Sequence, residues 1–208
     1  MKMHRRLESE YWDKLYQRRE YVYGTAPNQY LLRHASLLQP GMTAFVAGDG
    51  EGRNGIWLAE QGLHVVSAER SPWGIAKAVR LARECRVTVR FECCDLLEWT
   101  WPRNHFDVAV AMYLHLRAPQ RIQVHRDLVR CLKPGGILLL EAFKRHDGND
   151  AHSPDDSLFS AALLAHDFQG LEVLELLEQA ATLDEGSMHQ GEAEVVRMLA
   201  RAPEQMRA

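Results

Sequence analysis

The chain has few cysteines for its 208 residues: Cys85, Cys93, Cys94 and Cys131, with no CxxC spacing among them. That excludes the usual zinc and disulfide frameworks and leaves free thiols. No apolar run is long enough for a membrane span. The start, MKMHRRLESEYWDK, is basic but lacks the apolar core of a signal peptide. A cytoplasmic location with no membrane partner is the expectation. Positive charge is not in excess either: the formal net charge is -3 and the isoelectric point near 6.4, so no nucleic-acid partner is expected. Internal repeats and low-complexity tracts are absent.

What remains is an ordinary globular composition, 46% hydrophobic and 25% charged. Residues 9–22 place Tyr11, Trp12, Leu15 and Tyr16 at helical spacing. A turn at Gly24 and Pro27 leads to a second helical stretch with Leu31, Leu32 and Leu37, ended by Pro40-Gly41. From there apolar runs alternate with helical patterns. Strands are expected at Thr43–Ala47, His64–Ala68, Val87–Cys93, Phe106–Met112 and Ile137–Phe143. Helices are expected at Gly52–Gln61, from Ser71-Pro72 to about Arg83, and at Pro119–Leu132. Such alternation predicts an α/β fold with a parallel sheet between helices. Leu171–Leu177 and Glu194–Ala200 have no evident helix between them, only a stretch with Gly186 and Gly191, so they read as a closing antiparallel pair. The expectation is one domain over residues 1–208: a helical cap at 1–40 and a Rossmann-like core at 43–208. Its three-layer sandwich holds a seven-stranded, mostly parallel sheet.

The densest glycine cluster is TAFVAGDGEGRNG, Thr43 to Gly55. Glycines at a strand-to-helix turn let a ligand approach the backbone, and the helix start offers unpaired N–H groups. Its GEGRNG segment fits the dinucleotide fingerprint, which alone is a weak signal. Glu69 ends the second strand about 20 residues on, where an acid accepts hydrogen bonds from ribose hydroxyls. The pair fits either a nicotinamide cofactor or S-adenosylmethionine. Asp95 with Leu96, past the third strand, suits an adenine amino group and ring. Met112, Tyr113 and His115 follow the fourth strand.

In this order the motifs GDGEG, Glu69, Asp95-Leu96, FDVAVAM and LKPGG resemble the class I S-adenosylmethionine-dependent methyltransferases. YVYGTAPNQYL, GEGRN and MHQGEAEVVRMLAR look like a narrower branch, the tellurite-resistance and thiopurine methyltransferases. The resemblance implies S-adenosylmethionine as cofactor and a small-molecule methyl acceptor. It implies contacts from Tyr23, Gly48, Asp49, Gly50, Gly52 and Arg53 around the turn. It further implies ribose binding by Glu69, adenine binding by Asp95 and Leu96, and a place near the methionine ammonium for the Met112 backbone. One departure stands out: Val46 occupies a position where most of the class carry an acid, and Asp49 is the substitute at hand.

The sequence shows no evident base. His115 and Tyr113 are the catalytic candidates. Lys144 and His146 form a possible anion-attracting pair, and Trp12 and Tyr16 read as helix packing. His189 reads as a turn residue. The histidine- and aspartate-bearing run over 145–156 fits no metal-site spacing and reads as a candidate lid. A sulfur or other chalcogen acceptor needs no base, since it brings its own lone pair. The alternatives are a silent cofactor-binding protein, motivated by Val46, and a nicotinamide oxidoreductase, motivated by GEGRNG.

Overall fold

The computed structural model describes residues 10–144 and 158–204. The candidate lid lies outside them, as does His146. Strands β1 (Thr43–Ala47), β2 (His64–Glu69), β3 (Arg90–Cys93), β4 (Phe106–Met112), β5 (Leu132–Phe143), β6 (Glu172–Glu185) and β7 (His189–Arg201) form one seven-stranded sheet of order β3-β2-β1-β4-β5-β7-β6. The expected architecture is borne out: a mostly parallel sheet closed by an antiparallel pair, with helices around it.

Chain contacts divide into two compact units. One takes the described residues of Met1–Trp99 with Leu183–Gly191, the other those of Thr100–Thr182 with Glu192–Ala208.

In the first unit β1 pairs in parallel with β2, and β2 with β3. Helix α1 covers residues 10–16, α2 Gln29–Arg33, α3 Arg53–Glu60 and α4 Pro72–Cys85, with a short 3-10 turn at Ala35–Leu37. The α1 helix stops short of residue 22, where the spacing predicts it to end. The reason is a carboxylate: Val22 N–H donates to Glu51 at 2.7 Å and Tyr23 N–H to the same oxygen at 3.4 Å. A side chain far along the sequence thus takes the donors that a helix would have used. The α2 helix is capped by Asn28, whose side chain accepts from Tyr30 N–H at 2.9 Å and Leu31 N–H at 3.1 Å. Pro72 opens α4 behind its N-cap Ser71.

β3 begins three residues later than the apolar run suggests. Arg86 leaves α4 in the left-handed region, and Val87 N–H returns to Ala82 at 3.0 Å as a helix cap. Val87 and Val89 then pack on Ile56, Leu81 and Ala82, so their apolarity serves helix packing rather than the ladder.

In the second unit β4 pairs in parallel with β5, and β5 antiparallel with β7. β4 matches its expected bounds to the residue. β5 starts earlier than expected because Leu132 already pairs with Phe106, while KPGG is skipped in the register before Ile137 meets Val108. Helix α5 (Ala118–Cys131) buries Val124 and Leu128, and a short helix α6 (Ala161–Asp167) buries Leu164. The closing strands are longer than the apolar runs imply, and the stretch between them shrinks to a tight turn around Gly186.

Candidate functional site

The glycine turn joins β1 to α3 in the first unit. Gly48, Gly50 and Gly52 have φ of 64°, 58° and 92°, the left-handed region that side chains avoid. Close packing adds a second constraint. A Cβ on Gly52 would stand 2.6 Å from the Ala78 Cβ of α4, and one on Gly50 would stand 2.6 Å from the Tyr16 hydroxyl. The turn is tied to β2 by Gly48 N–H and Asp49 N–H, both donating to Ala68 O, at 2.8 and 3.1 Å.

Three buried acids brace it. Glu69 accepts from Gly50 N–H at 2.9 Å on one oxygen and from Ser71 N–H at 2.7 Å on the other, with the Arg70 backbone N–H as a third donor. Burial raises its carboxyl above the ordinary value against the pull of those N–H groups. Asp49 accepts from the Ser67 hydroxyl at 2.8 Å and from Gly55 N–H at 3.1 Å. Burial pushes its carboxyl up to about 7 despite those bonds, a further one from the Asn54 backbone and the nearby Arg53 charge. Val46 is fully buried in β1 and pairs in register with the same Ser67. Glu51 holds Val22 and Tyr23 from one oxygen and the Lys77 ammonium from the other.

A polar knot fixes the segment after α1. Arg53 donates to Glu185 at 2.7 Å, and the His189 Nδ1 lies 3.2 Å from the same oxygen. Asn28 donates through Nδ2 to the other Glu185 oxygen at 3.2 Å and through its backbone N–H to Asn54 at 2.9 Å. Burial would raise the Glu185 carboxyl, but His189 and Arg53 hold it down at about 2. His189 is therefore a buried residue of β7 with its ring against Tyr23, 4.5 Å between centroids, and not the turn residue its sequence context suggests. Half-buried Tyr23 is the member of this knot that continues toward the turn. Its ring lies 6.5 Å from that of Tyr16, which in turn stacks on Trp12 at 5.8 Å.

On the third strand's side, half-buried Asp95 accepts from Leu97 N–H at 3.0 Å, and Leu96 is buried. The remaining candidates belong to the second unit. Met112 ends β4, buried. Tyr113 follows with φ 52°, a strained conformation for a tyrosine, and its hydroxyl donates to Glu141, which also takes the Arg197 guanidinium. His115 is exposed and tilted against Phe143. Lys144 pairs with Glu178 at 3.1 Å and stands 3.9 Å from Glu194, so it is not the free cation that the sequence suggests.

The structure thus brings Tyr23, Gly48, Asp49, Gly50, Gly52, Arg53 and Glu69 together around one turn. Glu51, Lys77, Asn28 and Glu185 are equally part of it and were not singled out from sequence. Their roles arise from long-range hydrogen bonds, which leave no local pattern. The acid of GEGRN beside its arginine was the one available hint.

The donor set fits S-adenosylmethionine. A turn without Cβ atoms admits a ligand's close approach, and the Glu69 carboxylate, with about four acceptor sites for its three backbone donors, keeps room for a ribose hydroxyl. Residues 46–136 match the family model described as a methyltransferase domain. Phosphoethanolamine N-methyltransferase 1 of Zea mays is 30% identical over 112 residues, 53% of this chain and 22% of that protein. The chain therefore spans only about a fifth of the length of that relative. Among solved structures, one titled for the conversion of a disulfide bond into a thioacetal group during echinomycin biosynthesis superposes with TM-score 0.77 at 18% identity, covering 95% of this chain and 93% of that one. TehB from Haemophilus influenzae gives TM-score 0.72 at 20% identity, covering 93% and 66%. The N-methyltransferase NodS from Bradyrhizobium japonicum with S-adenosyl-L-homocysteine gives 0.63 at 16%, covering 85% and 89%. At these identities the structures speak for the fold. Fold, turn and domain match together resemble the class I S-adenosylmethionine-dependent methyltransferases. Within that class the chain resembles the tellurite-resistance branch, to which its own YVYG and GEGRN segments first pointed.

Proposed function

We propose that the chain binds S-adenosylmethionine at the glycine turn and transfers its methyl group to a small acceptor that carries its own lone pair, with sulfur or another chalcogen favoured. The observation that carries this reading is the Glu69 carboxylate, held by Gly50 and Ser71 N–H groups at the mouth of a turn stripped of side chains. The cofactor supplies an electrophilic sulfonium methyl. The residues supply position and shielding: Glu69 receives ribose hydroxyls, Asp95 and Leu96 receive adenine, and the Tyr16–Tyr23 rings cover the turn. Asp49, Glu51 and Glu69 are all committed to hydrogen bonds, so none stands ready as a base for a protonated oxygen or nitrogen. A thiolate or selenide acceptor needs none.

Calorimetry with S-adenosylmethionine and S-adenosylhomocysteine, followed by turnover on matched thiol and amine panels, tests the reading. Binding of both with methylation of thiols supports it, whereas turnover on amines alone overturns the acceptor class. Buried, apolar Val46 favours one rival, a silent cofactor-binding protein, whose mark is binding without turnover on either panel.

Glu69→Gln is expected to weaken S-adenosylhomocysteine binding by on the order of tenfold to a hundredfold, the worth of hydrogen bonds to a charged group. The amide also turns an N–H₂ toward one side of its backbone donors, so a modest drop in thermal midpoint should accompany it. Unchanged affinity would show that ribose is not bound here.

A further inference from the structure

Tyr16 is a residue that sequence periodicity assigns to helix packing, and its ring does pack, with Leu15 and Val22. Its hydroxyl is another matter. The side chain is 5% exposed, yet no group among the described residues hydrogen-bonds that hydroxyl. The hydroxyl oxygen is not itself sealed from solvent, so on an otherwise buried side chain it is the atom a ligand can reach.

Its position is defined by two glycines. The hydroxyl lies 2.6 Å from the point a Gly50 Cβ would take. A Cβ on Gly74 would meet the Gly50 carbonyl at 2.8 Å, the Tyr16 ring at 3.1 Å and the Glu69 side chain at 3.2 Å. The ring of Tyr16, the turn and the Glu69 side chain therefore converge on one small region. Helix α1 is held there independently of Tyr16, because Asp13 accepts from the Ser71 hydroxyl at 2.5 Å beside the start of α4. The hydroxyl is thus delivered to this place by an anchor that does not depend on it.

We infer that the Tyr16 hydroxyl is a ribose ligand, donating to the oxygen of a cofactor hydroxyl whose proton goes to Glu69. A ribose hydroxyl is both donor and acceptor, which matches a phenol and a carboxylate converging on one place. Charge selects ribose over the cofactor's carboxylate. Burial first, and then the nearby Glu69, Tyr23, Glu51 and Asp49, hold the Tyr16 phenol protonated. A neutral acceptor tolerates that acidic surrounding, and an anion does not. The assignment rests on the cofactor reading above.

The test is Tyr16→Phe, which removes one oxygen and keeps the packing. Without ligand, its thermal midpoint should equal or exceed that of the parent, since the hydroxyl has no protein partner to lose. Affinity for S-adenosylhomocysteine should fall about fivefold to tenfold, one neutral hydrogen bond. Methylthioadenosine, which keeps the ribose and lacks the amino-acid part, should lose the same factor when measured by displacement. Loss for S-adenosylhomocysteine alone would move the hydroxyl to the amino-acid end and overturn the ribose assignment. A lowered midpoint with both affinities intact would make Tyr16 structural. Failure of the parent protein to bind S-adenosylhomocysteine would overturn the cofactor reading itself, and Tyr16 with it.

Discussion

Replacing Arg53 with alanine is expected to destabilise the first unit by about 3–5 kcal/mol, the usual cost of stripping one partner from a buried ion pair. The Arg53 and Glu185 side chains are only 8% and 6% exposed, so water cannot take over the lost contact. Glu185 would keep Asn28 and His189, but it would keep a buried negative charge as well. The pH dependence gives the test a sign. Glu185 has its carboxyl lowered from 4.5 to about 2 in the fold, so its contribution is complete above the upper value and fades as pH falls to the lower one. Denaturant unfolding should therefore show the full gap between parent and variant at neutral pH, shrinking between those limits. A gap below about 1 kcal/mol at neutral pH would mean that the pair is solvated in solution.

Asp49→Asn is expected to act in the opposite direction, and most strongly at high pH. The Asp49 carboxyl titrates near 7 in the fold against 3.8 when exposed, so the folded state binds the extra proton between those values. Stability from this group is complete below the lower value and is lost as pH rises through the upper one. The shift corresponds to about 4 kcal/mol over the whole window. An asparagine keeps an acceptor for Gly55 N–H and offers an N–H₂ to Ser67 without ever ionising. The variant should thus hold its stability from pH 4 to pH 8 while the parent declines. Parallel profiles would show that Asp49 is solvated or paired beyond what the structure contains. The result bears on Val46 as well. The acid missing from the strand has a counterpart three residues later, under the turn, where it binds the start of α3 and the neighbouring strand.

Much of this was legible in advance, and for identifiable reasons. β4 could be read to the residue because FDVAVAM is nearly all apolar and its strand is buried. The glycine turn was legible because left-handed φ leaves a compositional trace. β6 was underestimated because it is an edge strand with most positions exposed, so only a few apolar residues marked it. The short α6 went unseen because seven residues carry little periodicity, and what holds it is the Ser160 cap. Around the site, Glu69 could be placed by its distance from the turn. The roles of Glu185 and Asn28 could not, because 157 residues separate the two partners.

That separation also bears on the order of assembly. Gly24 and Gly186 both have positive φ, and a Cβ on Gly24 would stand 3.3 Å from Gly186 N, so two backbones cross where no side chain fits. Met188 N–H donates to Val22 O at 3.0 Å beside the crossing. The segment around Val22 leaves the ribosome before the hairpin around Gly186, yet it has no seat until that hairpin has been made. Such a contact carries a large loop-closure cost and forms late in folding. The part of the chain that covers the glycine turn is thus synthesised before the hairpin it depends on and settles only after it. A nascent chain cut before Gly186 would fold its early strands with that turn still open.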